Sequence, residues 1–140
     1  MTLRINHQKQ SLASQASLLS KMAWKDALKE GQELVLATSS KDSKPNANIV
    51  ISNGLVDDKL LVADCMMTTT FKNIQETRRV CIVAKYKKEY YKVKGKATIY
   101  SSGKYFDLAV SKTTPEYPVK HAITIDIEEV FDLDKAKKIL

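Results

Sequence analysis

Residues 90–100 read YYKVKGKATIY, and every second residue changes character. Tyr91, Val93, Gly95, Ala97 and Ile99 fall on one face of an extended chain, and Tyr90, Lys92, Lys94, Lys96, Thr98 and Tyr100 fall on the other. Side chains of a strand point alternately to opposite faces, so this period of two predicts a strand with one face on a core. Between Lys85 and Lys104 stand seven lysines and one glutamate, whereas residues 122–140 hold five acids and three lysines. Such a basic stretch gathers phosphate-bearing partners, from nucleic acid to a nucleotide cofactor, or forms a solvated strand face. Both readings stay open at this point.

The same period recurs on either side. Leu34–Thr38 reads as a short strand, Ser39–Pro45 as a polar turn, and Ala47–Val56 as a strand. In the latter, Ala47, Ile49 and Ile51 lie opposite Asn48, Val50 and Ser52. Asn53-Gly54 reads as a bulge, because Leu55 and Val56 continue the apolar pattern; Asp57-Asp58-Lys59 reads as a hairpin turn into Leu60–Asp64. Further strands are expected at Arg79–Tyr86 and Ala122–Leu133, with Ile123, Ile125 and Ile127 inward before Glu128-Glu129 breaks the pattern. Helical spacing runs from Ser17, Leu18 and Leu19 through Met22, Ala23, Ala27 and Leu28 to a stop at Gly31. A short helix is expected near Thr70–Thr77, and another at Lys104–Thr113 with Phe106, Ala109 and Val110 inward. Residues 1–13 read as a flexible arm and 14–140 as one domain. Six strands joined mostly by tight turns predict a mainly β (α+β) fold, a closed or split antiparallel barrel with flanking helices.

Composition narrows the class. The 140 residues are 44% hydrophobic and 28% charged, as in an ordinary soluble domain with a real core. The first residues carry no secretion signal and the longest apolar runs are strand-sized, so a cytoplasmic protein without membrane association is expected. Cys65 and Cys81 are expected as buried free thiols. With two histidines, His7 and His121, and no CxxC pair, a zinc site is not expected. No GxSxG, HExxH, GxxxxGK[ST] or GxGxxG occurs. Ser101-Ser102-Gly103-Lys104 matches SxxK without its partner elements, and Glu128 and Glu129 point to opposite faces of a strand. The chain lacks its own acid–base machinery, so any catalysis would rest on a cofactor.

The segment DCMMTTTFKNIQE (64–76) places three threonines, a lysine and an asparagine where a strand hands over to a helix. Helix N-termini expose unpaired N–H groups and suit an anion such as a phosphate. One hydroxyl, or Asn73, would equally serve as a plain helix cap.

Three segments together, LVLATSSKDSKPNANIVIS (34–52), KLLVADCMMTTTFKNIQETRRVCIVA (59–84) and YKVKGKATIYSSGKYFD (91–107), resemble the pyridoxamine 5′-phosphate oxidase-like FMN-binding split barrels. The order of elements matches through the last strand, over about residues 20–133. The resemblance implies a homodimer with FMN between the subunits, and related barrels bind the deazaflavin F420 or haem. It places Asn48, Ile49, Val50 and Ile51 beside the flavin ring and the FMN phosphate at the corner Thr68-Thr69-Thr70 followed by Lys72-Asn73, with Asp64 counted among the cofactor-binding residues. Tyr90 corresponds to a position that reaches the partner's flavin, and Lys85 and Arg79 are candidate phosphate partners.

Three departures qualify the match. Relatives carry Lys or Arg at or just before Thr70, where this chain is neutral. The usual DGKP turn is DSKP. A terminal segment with the tryptophan and arginine that hold vitamin B6 is not found, which argues against pyridoxamine phosphate oxidation itself. The expected function is an FMN-binding oxidoreductase acting on a small redox substrate, with no catalytic side chain identifiable. The alternatives are a single-stranded nucleic-acid-binding barrel, favoured by the Lys/Tyr run at 85–100, or a cofactor-free dimeric barrel.

Overall fold

The computed structural model describes residues 22–140. The expected arm over residues 1–13, and Ser17, Leu18 and Leu19 of the expected first helix, lie outside the described residues. The elements are α1 (Trp24–Ala27), β1 (Glu33–Ser39), β2 (Pro45–Val56), β3 (Lys59–Asp64), α2 (Thr69–Thr77), β4 (Arg79–Tyr86), β5 (Glu89–Tyr100), α3 (Lys104–Lys112), β6 (His121–Asp132) and β7 (Lys137–Lys138). The strands run in the order β3-β2-β1-β4-β5-β6-β7, and β3 also pairs with β6. That pairing closes six antiparallel strands into a barrel and leaves the two-residue β7 outside.

Local chemistry explains the turns. Asp57 and Asp58 both have positive φ, +53° and +61°, which joins β2 to β3 by a two-residue hairpin whose twist suits the flanking strands. In β2 the register shifts between Ser52 and Leu55, around Gly54 at φ +94°. In β6 the register moves from Lys94↔Glu129 to Gly95↔Ile127, so Glu128 is the extra residue of a bulge. Gly95 is required there, since a Cβ on it would lie 2.1 Å from the Asp126 carbonyl oxygen.

The barrel interior is filled as the alternation predicts. Tyr91, Val93 and Ala97 of β5 pack with Leu34, Leu36, Leu60, Val62, Ile82, Ile123 and Ile125, and Trp24, Ala27 and Leu28 join the same cluster. A smaller cluster of Leu61, Ala109 and Ala122 seats α3 on the outside of β3 and β6. Contrary to expectation, Val110 is 48% exposed. A helix on the outside of a barrel touches it along one stripe, here through Phe106 and Ala109, and the next residue points about 100° away. Cys65 and Cys81 are free but half-buried rather than buried, because Cys65 lies in the loop after β3 and Cys81 on the outer face of β4. Among the described residues no helix is long and apolar enough to cross a membrane.

One outer face stays apolar. Val35 of β1 stands between Ile49 of β2 and Val83 of β4, and Ala37 stands between Ala47 and Cys81. Ile49 and Ile51 are 62% and 50% exposed. Three adjacent strands thus present branched and small apolar side chains outward, where a solvated sheet face would carry polar ones.

Candidate functional site

The corner between β3 and α2 is built around Asp64. Its Oδ1 accepts the Met67 backbone N–H at 2.9 Å, and its Oδ2 lies 2.9 Å from Nδ1 of His121, on the first residue of β6. The His121 ring stacks on Phe71 of α2 with centroids 4.4 Å apart. Strand, loop and helix are thereby tied together by one buried carboxylate, so the side chain of Asp64 shapes the corner from beneath.

Helix α2 opens at Thr68 without a side-chain cap, which overturns the plain-cap reading of the threonines and Asn73. The Lys72 N–H donates to the Thr68 carbonyl at 3.0 Å. The preceding N–H groups of the first turn therefore have no partner within the helix. Thr68, Thr69 and Lys72 are exposed at this end. Thr70 differs from the reading of its hydroxyl as a phosphate ligand. Its Oγ1 donates to Asn48 Oδ1 at 2.7 Å and accepts from Asn46 Nδ2 at 3.0 Å, and the residue is only 3% exposed. Asn73 is likewise turned inward, with its Nδ2 donating to Thr38 Oγ1 at 3.1 Å. These two side chains lock α2 to β2 and β1.

Two openings lie along β2. A polar cleft of about 420 Å³ is walled by Pro45, Thr68, Thr69, Lys72 and Asn73, with Lys44, Asp42 and Glu76 at its rim. A cavity of about 460 Å³ is walled by Asn48, Ile49, Val50 and Ile51, by Cys65–Met67 of the corner loop, and by Lys112–Thr114 and Tyr117 beyond α3. Strand β2 and the corner loop therefore line both. Over 45–51 β2 pairs with β1 alone; its pairing to β3 involves only Ser52, Leu55 and Val56. In an antiparallel ladder alternate residues aim N–H and C=O away from the neighbour. This is the split of the barrel, and it turns unpaired backbone donors and acceptors of β2 toward the cavity.

The other predicted residues lie elsewhere on the chain. Tyr90 sits at the β4–β5 hairpin under the Lys85 ammonium, 5.4 Å from its ring centroid, and lines neither opening. Arg79 is exposed and 3.6 Å from Glu128. Neither Lys85 nor Arg79 lines either opening.

Asn53, read in the sequence only as part of a bulge, and Lys112 also belong to the cavity wall. The β2 bulge makes Ser52, Asn53 and Gly54 all buried. Ser52 Oγ stitches it, donating to the Leu28 carbonyl at 2.6 Å and accepting the Gly54 N–H at 2.9 Å. By parity Asn53 belongs with Ile49 and Ile51 on the outside; the bulge turns it in. Its Nδ2 is the only buried side-chain nitrogen or oxygen among the described residues without a hydrogen-bond partner. Such an unmet donor costs about 1–3 kcal/mol. Beside it, Lys112 Nζ donates to the Asn53 carbonyl at 3.1 Å and lies 3.5 Å from Glu30 Oε2. Cys65 donates its thiol to the Tyr117 carbonyl at 3.6 Å, and burial followed by the Asp64 carboxylate pushes its pKa up, so it stands as a neutral thiol.

A six-stranded barrel with a split seam, and an uncapped helix at the end of that seam, defines the class of small barrels of the split type. The family model for pyridoxamine 5′-phosphate oxidase matches residues 20–134, and the chain belongs to this family. No curated protein matches the sequence. Among solved structures, HupZ of Group A Streptococcus is similar at 24% identity and a TM-score of 0.72, covering 81% of this chain and 94% of that one. An FMN-binding protein of Syntrophomonas wolfei is similar at 16% identity and a TM-score of 0.68, over 95% and 97%. The heme storage protein HutZ of Vibrio cholerae is similar at 10% identity and a TM-score of 0.57, over 79% and 89%. At these identities the likeness is one of fold.

Proposed function

We propose that this protein binds a flavin, FMN, along the split of β2, and serves as an oxidoreductase toward a small redox substrate. The observation that carries this reading is the open edge of β2 over 45–51, which shares its cavity wall with the loop leading to the uncapped α2. A flat heterocycle with alternating donors and acceptors suits an unpaired strand edge, and a phosphate suits a helix N-terminus. The backbone of Asn48–Ile51 would hold the ring edge. The first-turn N–H groups of α2, with the hydroxyls of Thr68 and Thr69, would hold the phosphate. Thr70 would contribute its N–H alone, since its hydroxyl serves Asn46 and Asn48.

Charge is the weak part of this cradle. The phosphate of FMN carries close to two negative charges, while Lys44 and Lys72 in the cleft face Asp42 and Glu76. A second subunit supplies what is missing. The apolar outer face of β2, β1 and β4 is the surface a homodimer would cover, and the lysines of β5 stand at its border. When bound, the flavin supplies the hydride- and electron-transfer chemistry that no side-chain constellation here provides. The protein's part is to orient the ring, hold the phosphate and shield the cavity with Met66 and Met67. The two free thiols fit a reducing compartment such as the cytoplasm.

Other ligands fit less well. Among the described residues the one histidine, His121, is held by Asp64, stacked on Phe71 and lines neither opening, so a haem there would need its axial ligand from Cys65, Met66, Met67 or Tyr117 instead. F420 shares the ring geometry and differs by its tail. For nucleic acid, Phe131 on the basic face is already covered by Lys92 and Lys94, at 4.8 and 5.8 Å from its centroid, and offers no bare stacking platform. The test is the visible spectrum of purified protein with added FMN, beside a Thr69→Leu variant. Bound-flavin absorption in the wild type, with weakened retention in the variant, supports the reading. A wild type indifferent to FMN overturns it.

A further inference from the structure

We infer that the wall of the β2 cavity formed by Asn53 and the C-terminal turn of α3 binds the carboxylate of a small, otherwise apolar ligand. The identification of that ligand as the redox substrate rests on the flavin reading above; the binding site itself does not.

The bulge of β2 buries Asn53 to 6% exposure, in the lining of the cavity, and leaves its amide nitrogen without a partner. Every other buried side-chain nitrogen and oxygen among the described residues has a hydrogen-bond partner, so no hydrogen bond within the protein fixes the orientation of this amide nitrogen. A half turn of the carboxamide interchanges its nitrogen and oxygen at nearly the same positions, so it can present its donor to a ligand without moving the backbone. Next to it, the Lys112 ammonium is held over the Asn53 carbonyl, and its side chain is only 24% exposed. It has three N–H groups. One meets that carbonyl and a second reaches Glu30 only at 3.5 Å, which leaves donor capacity toward the cavity.

A helix C-terminus ordinarily repels an anion. Here the last turn of α3 is blunted: Ser111 Oγ donates to the Leu108 carbonyl at 2.7 Å, Thr113 Oγ1 to that of Ala109 at 2.7 Å, and the Thr113 N–H to that of Val110 at 3.3 Å. Two donor side chains on one wall, one of them a cation, suit a two-oxygen acceptor of single charge. The wall also carries Ile49, Ile51, Met66 and Met67, which suit an apolar body. A ligand lying there would share the wall of Asn48–Ile51 with the cofactor.

The test uses benzoate and its neutral counterpart, benzyl alcohol, on the flavin-free protein, followed by amide NMR with the Asn53 side-chain signal assigned. Benzoate is expected to shift that signal and to bind at least about tenfold more weakly to Lys112→Met, the loss of one charge-assisted hydrogen bond. Lys112→Arg should recover most of the loss, and benzyl alcohol should not distinguish the three proteins. Failure of benzoate to bind the wild type, equal binding to Lys112→Met, or shifts confined to residues away from Asn53 would overturn the inference. So would a Lys112→Met protein that loses FMN affinity by the same factor, because the donors would then serve a carbonyl of the flavin. A separate FMN titration without benzoate keeps the two proposals apart. Benzoate binding without flavin binding removes only the cofactor reading, and flavin binding without benzoate binding removes only this one.

Discussion

Replacing Thr70 by Val takes one hydroxyl out of the corner and leaves its shape almost unchanged. In the structure that hydroxyl joins α2 to β2, between Asn46 Nδ2 and Asn48 Oδ1, in a residue 3% exposed. A typical intramolecular hydrogen bond contributes about 0.5–1.5 kcal/mol net. Two of them give roughly 1–3 kcal/mol by the same rule. Both asparagines are half-buried and can recover water, which places the expected loss toward about 1–2 kcal/mol. For a domain of this size each kcal/mol moves Tm by about 3–5 °C. Thermal and denaturant unfolding at matched protein concentration should therefore show Thr70→Val less stable by about 3–10 °C. Thr69→Val, at an exposed position, should unfold like the wild type yet hold FMN less tightly. The reverse pattern would refute the reasoning. If Thr70→Val keeps its Tm and loses FMN, that hydroxyl faces the cofactor and the internal bridge does not form in solution.

Three further outcomes follow from named contacts. Gly95→Ala puts a Cβ 2.1 Å from the Asp126 carbonyl oxygen, so β5 and β6 must part; a loss of about 3 kcal/mol or more, or insoluble protein, is expected in expression and unfolding assays. On the proposed homodimer Ile49→Arg places a charge in the middle of the covered apolar face, so light scattering should show the wild type as a dimer and the variant as a monomer. Tyr91 is buried with its hydroxyl donating to Glu89 Oε2 at 2.5 Å, and burial first, then that carboxylate, raises its pKa. The unfolded chain gives up this proton near pH 10 while the folded one retains it, so stability is full below that pH and falls as pH rises through it. Tyr91→Phe should unfold with a shallower alkaline slope than the wild type between about pH 9 and 11.

Alternation carried the fold because each barrel strand has one wet or partner-facing side and one core side. The faces of β5, the bulge at Asn53-Gly54 and the break at Glu128 could all be read from period and parity. The seventh strand could not, because two lysines paired with the end of β6 carry no pattern. Val110 failed because a helix on a convex wall has a narrower contact stripe than one packed in a groove. At the site, adjacency placed Thr68, Thr69 and Lys72 on one cleft but could not tell which hydroxyl was already committed. That depended on Asn46 and Asn48, more than twenty residues away in the chain. The pairing of Asn53 with Lys112 was invisible for the same reason, since a bulge and a helix end meet only in three dimensions. A single clue to it existed: an asparagine beside glycine between the apolar residues Ile49–Ile51 and Leu55-Val56 of one strand.

On the proposed function the uncapped start of α2 holds the phosphate of a flavin nucleotide. Calorimetric titration of the purified protein with FMN and with riboflavin, which lacks only the phosphate, tests it most directly. Two or more charge-assisted hydrogen bonds at about 1.5–3 kcal/mol each predict FMN binding at least about 100-fold tighter than riboflavin. Equal affinities, or no binding of either, would contradict the account.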